Sequence, residues 1–155
     1  MASWIEFKQQ VPEMAEGARQ LFYQYGVGLG FLATIRPDGG PRLHPICPII
    51  TDQGLYAFIV PSPKRRDLDR DGRFALHAFT PEDVDDECYL TGSAQVIDDP
   101  KVRATVAESY HNDPGPEEIL YEFDIDRCMI ARYKQRGDWP PRYSTWIDSH
   151  SHHTE

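Results

Sequence analysis

Residues Leu29 to Arg66 read LGFLATIRPDGGPRLHPICPIITDQGLYAFIVPSPKRR, and the reading of this stretch sets the fold class. Leu29 to Ile35 is short, apolar and rich in strand formers, and it enters a hairpin turn at Arg36-Pro-Asp-Gly-Gly40. The return run, Arg42 to Ile50, also reads as a strand. Its Pro45 and Pro48 cannot donate to a ladder, which puts them on an edge or at a bulge and leaves nearby backbone groups available. After a turn at Thr51-Asp-Gln-Gly54, Leu55 to Val60 completes a three-stranded meander. The sheet is therefore expected to be antiparallel.

Working outward, Val11 to Tyr25 has the i, i+3, i+4 apolar spacing of an amphipathic helix, with Pro12 in its first turn and Gly26 as its stop. Ser62 to Asp71 predicts a short helix that Ser62 caps and Pro63 opens. Arg73 to Phe79 and Cys88 to Ile97 alternate as a fourth and a fifth strand, with Gly92 marking a bulge or a close approach. A helix from Asp98 to about Tyr110, a turn-rich stretch, a short helical piece and a sixth strand, Phe123 to Tyr133, follow. The Pro-, Trp- and Arg-rich remainder reads as irregular. The expected fold is mainly β with flanking helices, a six-stranded antiparallel barrel closed to remove its edges. One domain over residues 1–148 is expected, and 149–155 reads as a disordered, His-containing tail.

Composition narrows the function. The chain has 155 residues, 40% hydrophobic and 12% aromatic, enough for one core. A formal charge of -9 argues against nucleic acid or anionic lipid as a general partner. Cys47, Cys88 and Cys128 form no CxxC pair, so reduced core thiols are expected rather than disulfides or zinc. The opening residues lack a signal-peptide pattern and no apolar window reaches the length of a span, which predicts a cytoplasmic protein. The acidic run Glu82 to Glu87 reads as a solvated loop. No GxSxG, HExxH, Walker or GxGxxG pattern occurs.

The most informative site signal is Ser62-Pro-Lys-Arg-Arg66, a hydroxyl and three cations at a helix start in an otherwise acidic chain. Helix N-termini attract anions, and Lys64 and Arg65 add charge and directed donors, the layout of a phosphate site. The competing reading is a solvated helix face, because Asp67, Asp69 and Asp71 are interleaved. His44 and His77 sit on strands that aim them at defined faces, as structural residues or as proton carriers.

In the order of its segments, from Phe31-Leu-Ala-Thr-Ile through Leu-His-Pro-Ile, Ser-Pro-Lys-Arg-Arg-Asp-Leu and Leu-Thr-Gly-Ser-Ala-Gln-Val, the chain resembles the pyridoxamine 5'-phosphate oxidase-like FMN-binding split-barrel superfamily over Leu29 to Asp99. The resemblance implies a homodimer with two cofactor sites at its interface. It sets His44, Pro45, Ile46 and Cys47 along the isoalloxazine edge and Phe58 and Ile59 against the ring or ribityl chain. Ser62, Lys64 and Arg65 would hold the phosphate. Trp139 and Arg142 would cover the cofactor from the partner subunit, or else pack on the barrel. Residues Asp138 to Trp146 depart from the Arg-Leu-x-Pro type of ending, which argues against pyridoxamine-phosphate oxidation itself. The expected function is an FMN-dependent oxidoreductase acting on a small molecule. F420 is the alternative cofactor, with Arg42 and Arg142 as added cations for its acidic tail. A carrier or sensor of flavin or haem without turnover is the alternative from another class, and a cofactor-free interaction module is a third.

Overall fold

The structure is a computed structural model that describes residues 1–150. The proposed tail lies largely in 151–155, outside the described residues.

Two short helices open the chain. Helix α1, Trp4–Gln10, starts at a capping box in which the Ser3 amide donates to Glu6 (2.8 Å) and the Glu6 amide donates to Ser3 Oγ (3.4 Å). Helix α2, Pro12–Phe22, has Pro12 at its start and buries Ala15, Ala18, Leu21 and Phe22. It stops before the expected Tyr25, and Gly26 takes φ +87° in the turn beyond.

Strands β1 (Gly30–Ile35) and β2 (Pro41–Ile46) form the expected hairpin. The expected single strand Arg42 to Ile50 is broken at Cys47 and Pro48, and only Ile49–Ile50 (β3) goes on to pair with β4, Leu55–Ile59. The three-stranded meander is therefore two separate hairpin pairs. Helix α3 (Pro63–Arg70) and strands β5 (Arg73–Ala78) and β6 (Glu87–Val96) follow as read. After helix α4 (Pro100–Glu108) comes β7, Ile119–Arg132, which begins where a helical piece was expected. Strand β8, Arg142–Ile147, replaces the expected irregular end. There are thus eight antiparallel strands rather than six: the break at Pro48 supplies one and β8 the other.

The strand order is β2-β1-β5-β6-β7-β4-β3, with β8 on the free part of β7. The two ends of this path, β2 and β3, are neighbours in sequence, and three peptide links span at most roughly 11 Å. The sheet must therefore curl until its ends meet, giving a half-barrel closed by the chain itself rather than by a ladder. Traced one way, with the β5–β6 register carried one residue past its last pair, Ile46 reaches Ile130 of β7 through Gly30, Ala78 and Cys88. Traced the other way, Ile49 reaches Glu122 through Tyr56. Three residues of chain thus correspond to eight along β7, the stagger that tilted strands require.

The bulge expected at Gly92 is present. Gly92 faces Ile125 while Thr91 faces Arg127, so Asp126 is the extra residue and its carboxylate accepts from the Thr91 hydroxyl. A Cβ at Gly92 would stand 1.8 Å from the Asp124 carbonyl oxygen, so only glycine fits. The main core lies inside the curl, with Phe7, Phe22, Leu32, Leu76, Leu90 and Ile125 fully buried. A second cluster, Ile49, Tyr56, Phe58, Val106 and Leu120, sits under α4. The acidic run is not simply solvated: Asp86 accepts from Arg132 (2.9 Å) and the Tyr133 amide (2.8 Å), and Asp85 accepts from the Gly137 amide (3.0 Å).

Helix α3 is fixed to the barrel by Asp67, which is 2% exposed and accepts from Thr34 Oγ1 (2.9 Å), Arg42 Nε (2.6 Å) and Arg70 Nη1 (3.3 Å). Burial raises the Asp67 pKa, but these three donors outweigh it and hold the carboxyl below its usual value. Asp67→Asn should lower unfolding free energy by about 3 kcal/mol, the cost of breaking a buried pair on one side. Because the native pKa is depressed, this stabilisation is complete above the unfolded value of about 3.9 and is lost as pH falls through the native pKa. Denaturant titrations between neutral and acid pH should therefore show a shallower decline for the variant. An equally steep decline would remove Asp67 as the acid-sensitive anchor.

Candidate functional site

The ladder is missing in one place, between β2 and β4. β2 ends the strand path, and β4 pairs with β3 only at Leu55 and Tyr56, so Ala57 to Ile59 have no strand partner on that side. Extending the β3–β4 register back past Pro48 sets Cys47 opposite Phe58 and Ile46 opposite Ile59 across the opening. On this extended register the segment ending at Cys47 and the segment that runs from Phe58 into α3 flank one split.

Their side chains differ in availability. On β2, His44 shares the inward phase of Arg42 and Ile46 and is half-buried, while Pro45 is turned outward and exposed. Cys47 is half-buried and burial pushes its thiol pKa up. Neighbours in β4 face opposite ways. Phe58 packs toward α4, with the Tyr110 ring centroid 5.2 Å away and the Arg103 guanidinium 5.0 Å over its face. Ile59 points into the main core and is 1% exposed. Arg103 is held in turn by the carbonyls of Glu118 (2.6 Å) and Gly115 (2.9 Å).

At the start of α3, Ser62 Oγ donates to the Val60 carbonyl (2.9 Å) and accepts from the Arg65 amide (3.4 Å), the expected cap. Arg65 Nη1 donates to the Glu117 carbonyl (2.8 Å), which ties the helix to the segment entering β7. Lys64 is half-buried, and burial lowers its pKa. Among the described residues it has no hydrogen-bond or ion-pair partner, a property it shares among half-buried cations only with Arg127. A desolvated, unpaired ammonium is unfavourable by itself and becomes favourable when an anion arrives. Arg42, proposed for an acidic cofactor tail, is engaged by Asp67 and is not free for that role.

Trp139 and Arg142 are elsewhere. Arg142 pairs with Arg132 at one end of β7, whereas β4 and the α3 segment meet the other end at Ile119. The separation is about 40 Å along an extended strand at roughly 3.3 Å per residue. Trp139 is 75% exposed. Within one protomer these two residues do not join the split.

Two features were not foreseen. Cys88 and Cys128, far apart in sequence, are buried on the neighbouring strands β6 and β7, and the neighbouring Cys128 thiol together with burial raises the Cys88 pKa well above its usual value. Arg103 and Tyr110, which wall the split on the α4 side, carried no recognisable motif. Among the described residues no group of three or more His, Cys, Asp or Glu side chains could hold a metal ion, and no helix is long and apolar enough to cross a membrane. His150 lies near Asp148 (3.6 Å), while His152 and His153 fall outside the described residues.

No protein-family model matches the chain, and no curated protein matches it. Solved structures do. A haem-binding protein from Mycobacterium smegmatis superposes with TM-score 0.66 at 15% identity, over 86% of this chain and 57% of its own. A NimC/NimA family protein from Clostridium acetobutylicum gives TM-score 0.63 at 14% identity, over 89% and 93%. The haem-storage protein HutZ from Vibrio cholerae gives 0.57 at 12%, over 88% and 92%. The curled antiparallel half-barrel of this chain is the fold it shares with these proteins. At these identities the likeness concerns the fold, and this chain spans little more than half the length of the M. smegmatis protein.

Lys64→Met should melt no lower than the wild type in the absence of ligand. The burial penalty on the ammonium is present below the lowered pKa and disappears as pH rises to the unfolded value of about 10.4. Any gain in melting temperature should therefore be greatest at neutral pH and vanish in strong alkali. A clear loss of stability at neutral pH would show that Lys64 has a structural partner.

Proposed function

We propose that the split between β2 and β4 binds the phosphate-bearing planar cofactor FMN, and that the chain is a homodimeric oxidoreductase acting on a small molecule. The observation that carries this reading is Lys64, half-buried and unpartnered at the start of a helix that is itself pinned to the barrel. Ser62 and Arg65 complete the phosphate end. The edge of β2 that faces away from β1, with Cys47 beyond it, has no strand partner and supplies donors and acceptors for a ring edge, and Phe58 backs the opening from the α4 side. When bound, the isoalloxazine ring carries the redox step, and the protein binds, orients and shields it. F420 fits less well, because Arg42 is committed to Asp67.

The homodimer is supported by the outer face of the sheet. The register aligns Leu43, Ala33, Ala75, Thr91, Arg127 and Ile147 in one row across six strands, with Phe31 in the next. Leu43, Phe31 and Ile147 are 64%, 39% and 46% exposed, an apolar face that a second copy would cover. Such a dimer is the arrangement in which Trp139 and Arg142 of one protomer could reach the cofactor of the other.

A second reading, a haem carrier without turnover, is favoured by half-buried His44 on the lip of the split and by the haem-related names of two proteins that share the fold. Titrating the purified protein with FMN, F420 and haem separates the readings. FMN should bind with quenched fluorescence and protect Cys47 from alkylation. Lys64→Ala/Arg65→Ala should weaken it by at least about a hundredfold, the worth of two charge-assisted contacts. Unchanged FMN affinity in the double variant rejects the phosphate site. A haem band lost in His44→Ala, with no FMN binding, replaces the oxidoreductase reading by the carrier. Leu43→Glu should convert a dimeric mass in solution to a monomeric one.

A further inference from the structure

The far end of β7 carries a second constellation, of which the cofactor reading uses only Trp139 and Arg142, and those only from a partner copy. Arg132 of β7 and Arg142 of β8 stand directly opposite each other in the ladder. Like charges in that relation repel, yet the sequence sets two guanidiniums there in a chain of charge -9.

Among the described residues one of the two is ion-paired, Arg132 with Asp86, and the other, Arg142, is not. Asp86 accepts from Arg132 Nη1 (2.9 Å) and fixes the direction of the side chain. The other nitrogen, Nη2, faces α2, where a Cβ on Gly17 would stand 3.0 Å from it and 3.3 Å from Ile130 Cδ1. A glycine inside a helix costs about 1 kcal/mol relative to alanine. At Gly17 it leaves the space that the guanidinium occupies. Arg142 is exposed and has no partner among the described residues.

Both arginines line two adjoining cavities of about 550 and 530 Å³. The first is walled by apolar Val11, Met14 and Ile130, with Ser144 and Glu13 beside them. The second adds Lys134 and Trp139, with Asp138 as its acid. Two convergent guanidiniums beside an apolar wall are suited to a ligand with one charged oxyanion end and one greasy end.

We propose that this groove binds a small organic oxyanion, a carboxylate or phosphate monoester on an apolar body. The charged group sits between Arg132 and Arg142, and the body lies against Val11, Met14 and Ile130. The site is complete within one protomer and lies at the opposite end of β7 from Lys64, so it does not rest on the cofactor reading.

Calorimetry and thermal melts with benzoate, phenyl phosphate and the uncharged control benzyl alcohol test it. One or both anions should bind once per chain and raise the melting temperature, the tighter one naming the head group, while benzyl alcohol should do neither. Arg142→Gln should weaken the anion by about tenfold or more, the loss of a charge-assisted contact. The unliganded variant should melt no lower than the wild type, because the cross-strand repulsion is relieved. Gly17→Ala, which pushes the side-chain ends of Arg132 and Ile130, should weaken the same anion while the chain stays folded. Lys64→Ala/Arg65→Ala should bind it as the wild type does. Binding of benzyl alcohol as tight as that of the anions, no binding of either anion, unchanged affinity in Arg142→Gln, or loss of binding in the Lys64/Arg65 variant would each overturn the proposal.

Discussion

Everything in this fold depends on the short covalent link at Cys47-Pro48 between the two ends of the sheet. β2 and β3 terminate the strand path on opposite sides, yet two residues join them. An open sheet cannot satisfy that constraint, so the strands must curl, and the accumulated stagger along β7 is the consequence. The same segment prevents the seam from zipping. Pro45 and Pro48 have no amide hydrogen to give, and the ladder on β4 stops at Tyr56. Closure by chain and absence of closure by hydrogen bonds therefore have one cause, and together they produce a permanent split with unladdered backbone on both lips.

Helix α3 converts that split into a place where charge can be held. Its Asp67 reaches Thr34 and Arg42 on the first hairpin, its Arg70 donates to the Ile35 carbonyl, and its Asp69 accepts from the Tyr121 hydroxyl. With Arg65 bonded to the Glu117 carbonyl, the helix is tied to β1, β2 and the β7 strand and cannot shift independently of them. Lys64 is thus desolvated by a rigid frame, not by chance packing. Preorganisation of this kind removes the ordering cost that a mobile lysine would incur on meeting an anion.

The legible parts of the sequence were those in which local chemistry and global fold agree. The β1–β2 turn, the Ser62-Pro63 helix start, strand β5 and the bulge at Gly92 each follow from residues within a few positions of one another. The lips of the split were legible through the prolines. The rest depended on distant partners. Strand β8 was missed because Arg142 to Thr145 are exposed and polar and only Trp146 is buried against Phe7, so the run shows no alternation. The first half of β7 was missed because Leu120 and Tyr121 are both buried, one under α4 and one in the barrel, which erases the two-residue period. Helix α1 has a local signal in its Ser3 and Glu6 capping pair, but at seven residues it is too short to show a sustained helical period. The approach of Cys88 to Cys128 follows from the register of β6 and β7, which sets Cys128 opposite Leu90, two residues from Cys88, and which no sequence spacing encodes.

The distribution of charge adds a last step. Most basic side chains in this acidic chain are locally satisfied: Arg42 and Arg70 by Asp67, Arg73 by Asp71, Arg103 by loop carbonyls and Arg136 by Asp85. The cations left without partners include Lys64 at one end of β7 and Arg142 at the other. A net negative field disfavours anions everywhere except where local cations overcome it, and these two places differ from the surface around them in that respect. If the apolar outer face joins two copies, the long β7 strand of each protomer runs from its own split to the arginine pair. The two-fold axis can then set the arginine end of one copy against the split of the other without any rearrangement of the fold.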